Sequence, residues 1–250
     1  MADDNKCSLN NMLQSVMSVF NIEQNQLLPP SIYSAQYNAV SSLLLSELVK
    51  TYPLSQEHHD MLNPFIRFVK IPVRDGTVVL HKDYRNILGN PSISLKPDGS
   101  ECNSPIIIDT EAEFKTQTLK RGCKTRPVVI TPSSEWDYRT TSNYNYPTLT
   151  DPICKFIGEN KNGEKLLQVC PYDISTVYIL YAKQEEKYRY GYIMQPDDTY
   201  IFDINTTKES EWESNAFMPI FNALCSLYSA YSKDRELLEW TTLLSQKGIL

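Results

Sequence analysis

The hydrophobic period changes twice along this chain, and that double switch limits the folds open to it. After Ser8, a candidate cap, the apolar positions Leu9, Met12, Leu13, Val16, Met17 and Phe20 fall three and four apart, the spacing of one buried helical face. Residues 31–51 repeat the pattern with Tyr33, Tyr37, Val40, Leu44 and Leu48 on one stripe, after Pro29 and Pro30 and before Pro53. A third, shorter helix is predicted over 55–63, because Pro64 disfavours helical dihedrals in the residue before it. From residue 65 the period becomes two. Residues 65–73 and 77–81 are β-type runs around Asp75 and Gly76, a pair suited to the positive dihedrals of a tight hairpin turn. The sequence HKDYRNILG reads as one helical turn or slightly more, closed by Gly89, and 90–105 as loop with a turn at Pro97, Asp98 and Gly99.

The second half continues as a tyrosine-rich meander. Residues 166–169 follow an Asn162-Gly163 turn, 174–182 alternate, and 188–194 and 200–204 complete at least four short strands. Ten of the sixteen tyrosines lie between Tyr138 and Tyr200, a density that suits core packing and cross-strand pairs. Helical spacing then returns. Ser210 and Glu213 form a capping box, Phe217, Ile220, Leu224, Leu227 and Tyr231 make a stripe that Pro219 should kink, and Asp234 caps a final helix with Leu237, Leu238, Thr241 and Leu244 that Gly248 ends. The predicted class is α+β: N- and C-terminal helices forming a helical bundle, with an inserted antiparallel β-rich region, sandwich or barrel-like. The expected divisions are 1–64 helical, 65–205 β-rich with a long Tyr-rich loop, and 206–250 helices packing back on the N-terminal segment.

Chemistry is sparse in this pattern. Hydrophobic residues make up 41% and charged residues 22%, an ordinary globular balance, and the net charge of −6 argues against a duplex-DNA binder with a basic face. The six cysteines are scattered, without metal-ligand spacing, and read as reduced thiols. The first residues lack the basic and apolar regions of a signal peptide and no apolar run approaches ~18 residues, so synthesis in a cytoplasm and no membrane span are expected. His58 and His59 are adjacent on a predicted helix and point apart; His81, at a strand end, leaves open a dyad with a cysteine. No GxGxxG or GxxxxGK[ST] phosphate cradle occurs, and Asp197 with Asp198 after Pro196 reads as a turn. No catalytic residue, cofactor or metal is predicted.

Two surfaces carry the functional signal. Residues 133–156, SSEWDYRTTSNYNYPTLTDPICKF, read as a long irregular loop that sets Trp136, Tyr138, Tyr144 and Tyr146 among Ser, Thr, Asn and Pro. Tyr and Trp give stiff, amphipathic contact area and are enriched at interface centres, though the same aromatics can fold back on their own domain. Residues 114–130 carry Lys115, Lys120, Arg121, Lys124 and Arg126 with no acid, inside an acidic protein. That run is either a solvated strand and loop or a docking surface for an acidic partner or backbone phosphates.

Five stretches in order, HKDYRNILG, EFKTQTLKRGCKTRP, NYNYPTLTDPICKF, PYDISTVYILYAK and SEWESNAFMPIFNALCSLYSAYSKD, resemble the ring or adaptor proteins beneath the portal in the head-to-tail connector of tailed bacteriophages, especially the crAss-like phages. The resemblance implies a non-enzymatic virion protein that forms a homomeric, twelvefold ring. Its implied neighbours are the portal and adjacent ring or tail proteins, and DNA would pass through the channel without sequence-specific binding. An acidic wall would repel phosphates and let DNA slide. The readings left beside it are an intracellular enzyme with a Cys nucleophile and a tail or fibre-attachment adaptor that does not encircle DNA.

Overall fold

A computed structural model describes residues 6–19, 29–52, 55–96, 98–102, 124–196 and 199–232, with side chains to 228. The final predicted helix, the Asp197-Asp198 turn, Lys115, Lys120 and Arg121 lie outside the described residues. The architecture is mixed α+β, with five α-helices and eleven strands among the described residues and sheets that are mainly antiparallel and do not close into a barrel. The chain forms two compact units, one of Met1–Phe65 with Glu185–Leu250 and one of Ile66–Gln184. The boundary at 184/185 assigns the strands after Tyr188 to the helical unit. By sequence the first unit carries 8 Lys and Arg against 17 Asp and Glu, a net of −9, and the second 16 against 13, a net of +3.

In the first unit, helix α1 (Leu9–Val19) buries Leu9, Met12, Leu13, Val16 and Met17, the stripe its spacing predicts. Each such side chain removed from water is worth roughly 1.5–3 kcal/mol. Helix α2 (Pro30–Thr51) starts with Pro30 at N1, where a missing N–H costs nothing, and buries Tyr33, Tyr37, Val40, Leu45 and Leu48; Leu45 replaces the expected Leu44 on the inner face. Helix α3 (Gln56–Leu62) runs into a 3-10 turn over Asn63–Phe65.

The return segment does not follow its local signals. Tyr188 and Tyr190 do not sit in a long strand; they lie edge-on against the rings of Tyr37 and Tyr33, at 5.5 and 5.8 Å. The strand signal there shrinks to a ribbon of β10 (Tyr192–Met194) and β11 (Tyr200–Phe202), which follow nine strands of the other unit. Ser210 does not cap a helix. Its hydroxyl accepts hydrogen bonds from the Tyr37 O–H at 2.9 Å and the Trp212 N–H at 3.1 Å, and the helix begins later as α5 (Phe217–Ser232) after a 3-10 turn. Pro219 therefore falls in the first turn of α5, where it meets no hydrogen-bonding demand, and the expected mid-helix kink has no cause. Ile220, Leu224, Cys225 and Tyr228 form the buried face and Leu227 lies outside it. Helix α5 packs on α1 and α2.

The second unit holds two larger sheets. Strand β9 (Thr176–Lys183) pairs along its length with β1 (Ile66–Pro72), and on its other side with β3 (Tyr84–Ile87) and β4 (Ser92–Leu95); β4 in turn pairs with β5 (Lys124–Pro127) at the edge. The second sheet runs β2 (Thr77–Val79), β8 (Lys165–Cys170), β7 (Ile153–Glu159) and β6 (Val129–Ile130), with the β6–β7 pair parallel. Val78, Leu167 and Val169 of this sheet share one buried core with Ile93, Val177 and Ile179 of the other.

Several local expectations change here for one reason: pairing with a distant strand outweighs local pattern. HKDYRNILG is not a helical turn; its middle forms β3 against β9. The region after residue 90 is not all loop, because it supplies β4. Asp75 and Gly76 adopt positive φ, 49° and 69°, and form the expected tight hairpin turn, in which Arg74 and Thr77 exchange backbone hydrogen bonds at 2.9 and 2.8 Å, but β1 and β2 then part into different sheets. Cys102 is disulfide-bonded, which corrects the reading of all six cysteines as reduced.

Candidate protein-interaction site

The predicted irregular loop at 133–156 begins as a helix, α4 (Ser133–Thr141), and ends as β7. Threonines complete the helix from within: Thr140 Oγ1 donates to the Trp136 carbonyl at 2.8 Å and Thr141 Oγ1 to the Asp137 carbonyl at 2.7 Å. Trp136 faces inward and is 3% exposed, forming a small cluster with Ile153 and Cys170. Lys155 covers its outer face, with Nζ 5.1 Å from the ring centre and 3.5 Å from Asp137 Oδ1. Trp136 is thus the anchor that holds α4 to its sheet.

The tyrosines behave differently. Tyr138 is 65% exposed, Tyr144 98% and Tyr146 43%. The backbone carrying Tyr144 is nonetheless fixed, since Ser142 Oγ accepts the N–H groups of Tyr144 and Asn145 at 3.2 and 3.1 Å. Arg139 at the end of α4 pairs with Asp151 across the connection. The three tyrosines surround a cleft of about 500 Å³ that Arg139, Asn145 and Asp151 also line. Tyr146 faces the Cys170 thiol, and that interaction, ahead of burial, pushes its phenol up to about 12, so it stays a neutral donor at neutral pH. A rigid rim of exposed phenols around a polar floor suits contact with a protein surface.

Of the basic run, Lys124 and Arg126 lie on the edge strand β5, every residue of which is exposed. The structure therefore brings Tyr138, Tyr144 and Tyr146 together and puts Trp136 beneath them, with Lys124 and Arg126 on β5. Arg139 and Asp151, which frame the cleft, were not among the predicted residues; an opposite-charge pair flanking the aromatic segment was the available signal.

The groups considered for catalysis take other positions. His81 Nδ1 lies 2.6 Å from Asp83 Oδ1, which also accepts the Tyr181 hydroxyl at 2.8 Å, and His59 stacks on Tyr52. Burial pushes the thiols of Cys7 and Cys225 up to about 11 and that of Cys154 up to about 12; Cys170 is raised for the same reason. Each stays protonated near neutrality, whereas a nucleophile needs the thiolate. Among the described residues no group of three His, Cys, Asp or Glu could hold a metal ion, and no helix is long and apolar enough to cross a membrane. The sequence matches no protein-family model and no curated protein.

Proposed function

We propose that this chain is a virion structural protein, one copy of a homomeric ring in the head-to-tail connector of a tailed phage, adjoining the portal and surrounding the DNA channel. The observation that carries this reading is the rim of Tyr138, Tyr144 and Tyr146, three phenols left exposed around one rigid cleft. An isolated protomer gains little from a side chain as open as Tyr144, while a partner that covers it gains area and a hydrogen bond. The resemblance to connector rings supports the same role, as does the split into an acidic and a basic unit, which lets copies meet through opposite charge. In this reading the helices at the two ends of the chain form one bundle, the β-rich part is inserted between them, and the net charge of −6 keeps passing DNA from adhering.

The test replaces Tyr138, Tyr144 and Tyr146 together with Ser and leaves the anchor Trp136 intact. The protomer should keep its circular dichroism and melting temperature, while the variant should be lost from purified particles, since each buried interface phenol is worth on the order of 2 kcal/mol. Incorporation at the wild-type copy number would overturn the reading.

A further inference from the structure

We propose that the tyrosine-rimmed cleft at α4 receives an arginine side chain from a neighbouring protein. This contact deepens the reading above, on which it rests, by naming the residue that enters the cleft. The described residues that line the cleft all come from one stretch, 135–151. Glu135, Tyr138 and Arg139 stand three and four apart on α4 and so share one side of the helix. A turn closed by the Asp151 N–H on the Thr148 carbonyl at 3.0 Å brings Asp151 back to Arg139.

The charges on this surface do not balance. It holds two acids, Glu135 and Asp151, against one base, Arg139. Arg139 is spent on Asp151, and Asp137 on the same helix is paired with Lys155 at 3.5 Å. Glu135 is exposed and its carboxylate has no hydrogen bond or ion pair among the described residues; the side chains of Tyr138, Tyr144 and Asn145 have none either. A carboxylate left over beside three phenol rings selects a cation, because the ring faces carry the negative part of the aromatic quadrupole. An acidic side chain would meet Glu135 and those same faces. An aliphatic one would cover Glu135, Asn145 and the phenol hydroxyls without offering them a hydrogen bond.

Arginine meets this demand better than lysine. Its planar guanidinium lies flat on a phenol ring and still directs N–H groups in its own plane toward a carboxylate, whereas the lysine ammonium is a compact, strongly hydrated point charge with no face to stack. The cleft, about 500 Å³, has room for a guanidinium and its stem. The Ser142 hydroxyl already fixes the backbone under Tyr144 and Asn145, so entry has less chain left to order.

The test is an NMR titration of the full chain, with ring-labelled tyrosine, against the peptide acetyl-Gly-Arg-Gly-amide at low salt. The ring signals of Tyr138 and Tyr144 should move and saturate. The matching lysine peptide should bind about threefold more weakly, and the citrulline peptide, which keeps the shape and loses the charge, about tenfold more weakly. Glu135→Gln should weaken the arginine peptide about threefold and leave the melting temperature of the chain unchanged. Equal binding of the citrulline peptide, ring shifts from a neutral methyl glycoside in place of the arginine peptide, or no shift with any of these probes overturns the proposal. Native mass keeps this claim apart from the ring. An assembly whose tyrosines ignore the arginine peptide removes this contact and leaves the ring; a monomer that binds it with the stated preference leaves this contact and removes the ring.

Discussion

In the unit of Met1–Phe65 and Glu185–Leu250 the largest buried side chains, Trp212, Tyr33 and Tyr37, carry polar tips, and each tip is spent on a distant segment. Tyr33 O–H donates to the Leu9 carbonyl at 3.0 Å, Tyr37 O–H to Ser210, and Trp212 Nε1 to Ser41 Oγ at 2.6 Å, while Ser41 donates to Glu185 at 2.7 Å. Asn38 reads the backbone of Tyr188 with both its amide groups, at 2.8 Å each way. In the unit of Ile66–Gln184 the core is mainly Val, Ile and Leu from two sheets, and its Tyr181 sends its hydroxyl to Asp83, a part-buried group at the core's margin. Both fill space, but the first also specifies which segment lies where, because a buried donor left without its acceptor costs the full desolvation of that group. Two chain segments that are separated by 119 residues of another unit need that kind of specification; neighbouring strands with ladder bonds need it less.

The comparison predicts unequal sensitivity. Trp212→Ala removes the ring packed 4.5 Å from Phe65 and the donor to Ser41 Oγ, and should cost about 4 kcal/mol in urea unfolding. Leu167→Met in the other core should cost less than ~1.5 kcal/mol, and similar losses from the two would break the distinction.

Alkali should act on both units, since burial also raises Cys154 up to about 12 and raises Tyr181 in the second. Burial raises Tyr33, Tyr37, Tyr188 and Tyr228 above the ordinary phenol value of 10.0, and Cys7 and Cys225 up to about 11. A raised acid binds its proton more tightly in the folded state, so this stability is complete below the unfolded pKa and is lost as pH rises toward the folded one. Stability should hold to about pH 9 and then fall, with Tyr33 and Tyr37 each contributing up to about 1.4 kcal/mol per pH unit above pH 10. Tyrosinate absorbance followed beside circular dichroism checks this: the share of phenolate that comes from the buried tyrosines should appear together with the loss of helix.

What could be read from the chain beforehand follows the same division. The stripe of Tyr33, Tyr37, Val40 and Leu48 was legible because a helix face is a local pattern, and the positive φ of Asp75 and Gly76 was legible because a turn is local chemistry. Tyr84 and Ile87 sit three apart and mimic a helical turn, while their pairing with β9 is invisible without the other strand. Ser210 three residues before Glu213 looks like a cap until Tyr37, 173 residues away, claims its hydroxyl. At the site, the exposed tyrosines could be picked by residue type. The role of Trp136 could not, since its pocket is made by Ile153 and Cys170 from two later strands.

Smaller effects sharpen the contrast. Tyr37→Phe keeps the ring but withdraws the donor to Ser210, which still serves Trp212, so the loss should be about 1 kcal/mol. Lys124→Glu with Arg126→Glu, on an exposed edge, should change protomer stability by less than ~0.5 kcal/mol while weakening self-association. A large loss of stability from that pair would mean that β5 serves the fold and not a partner.

On the proposed function, this chain works as one member of a closed assembly of its own copies. Native mass spectrometry of the purified full-length chain at low salt tests it most directly. A single closed species of about twelve copies that loosens as salt is raised is the predicted result; a monomer at every concentration, unchanged by salt, would contradict it.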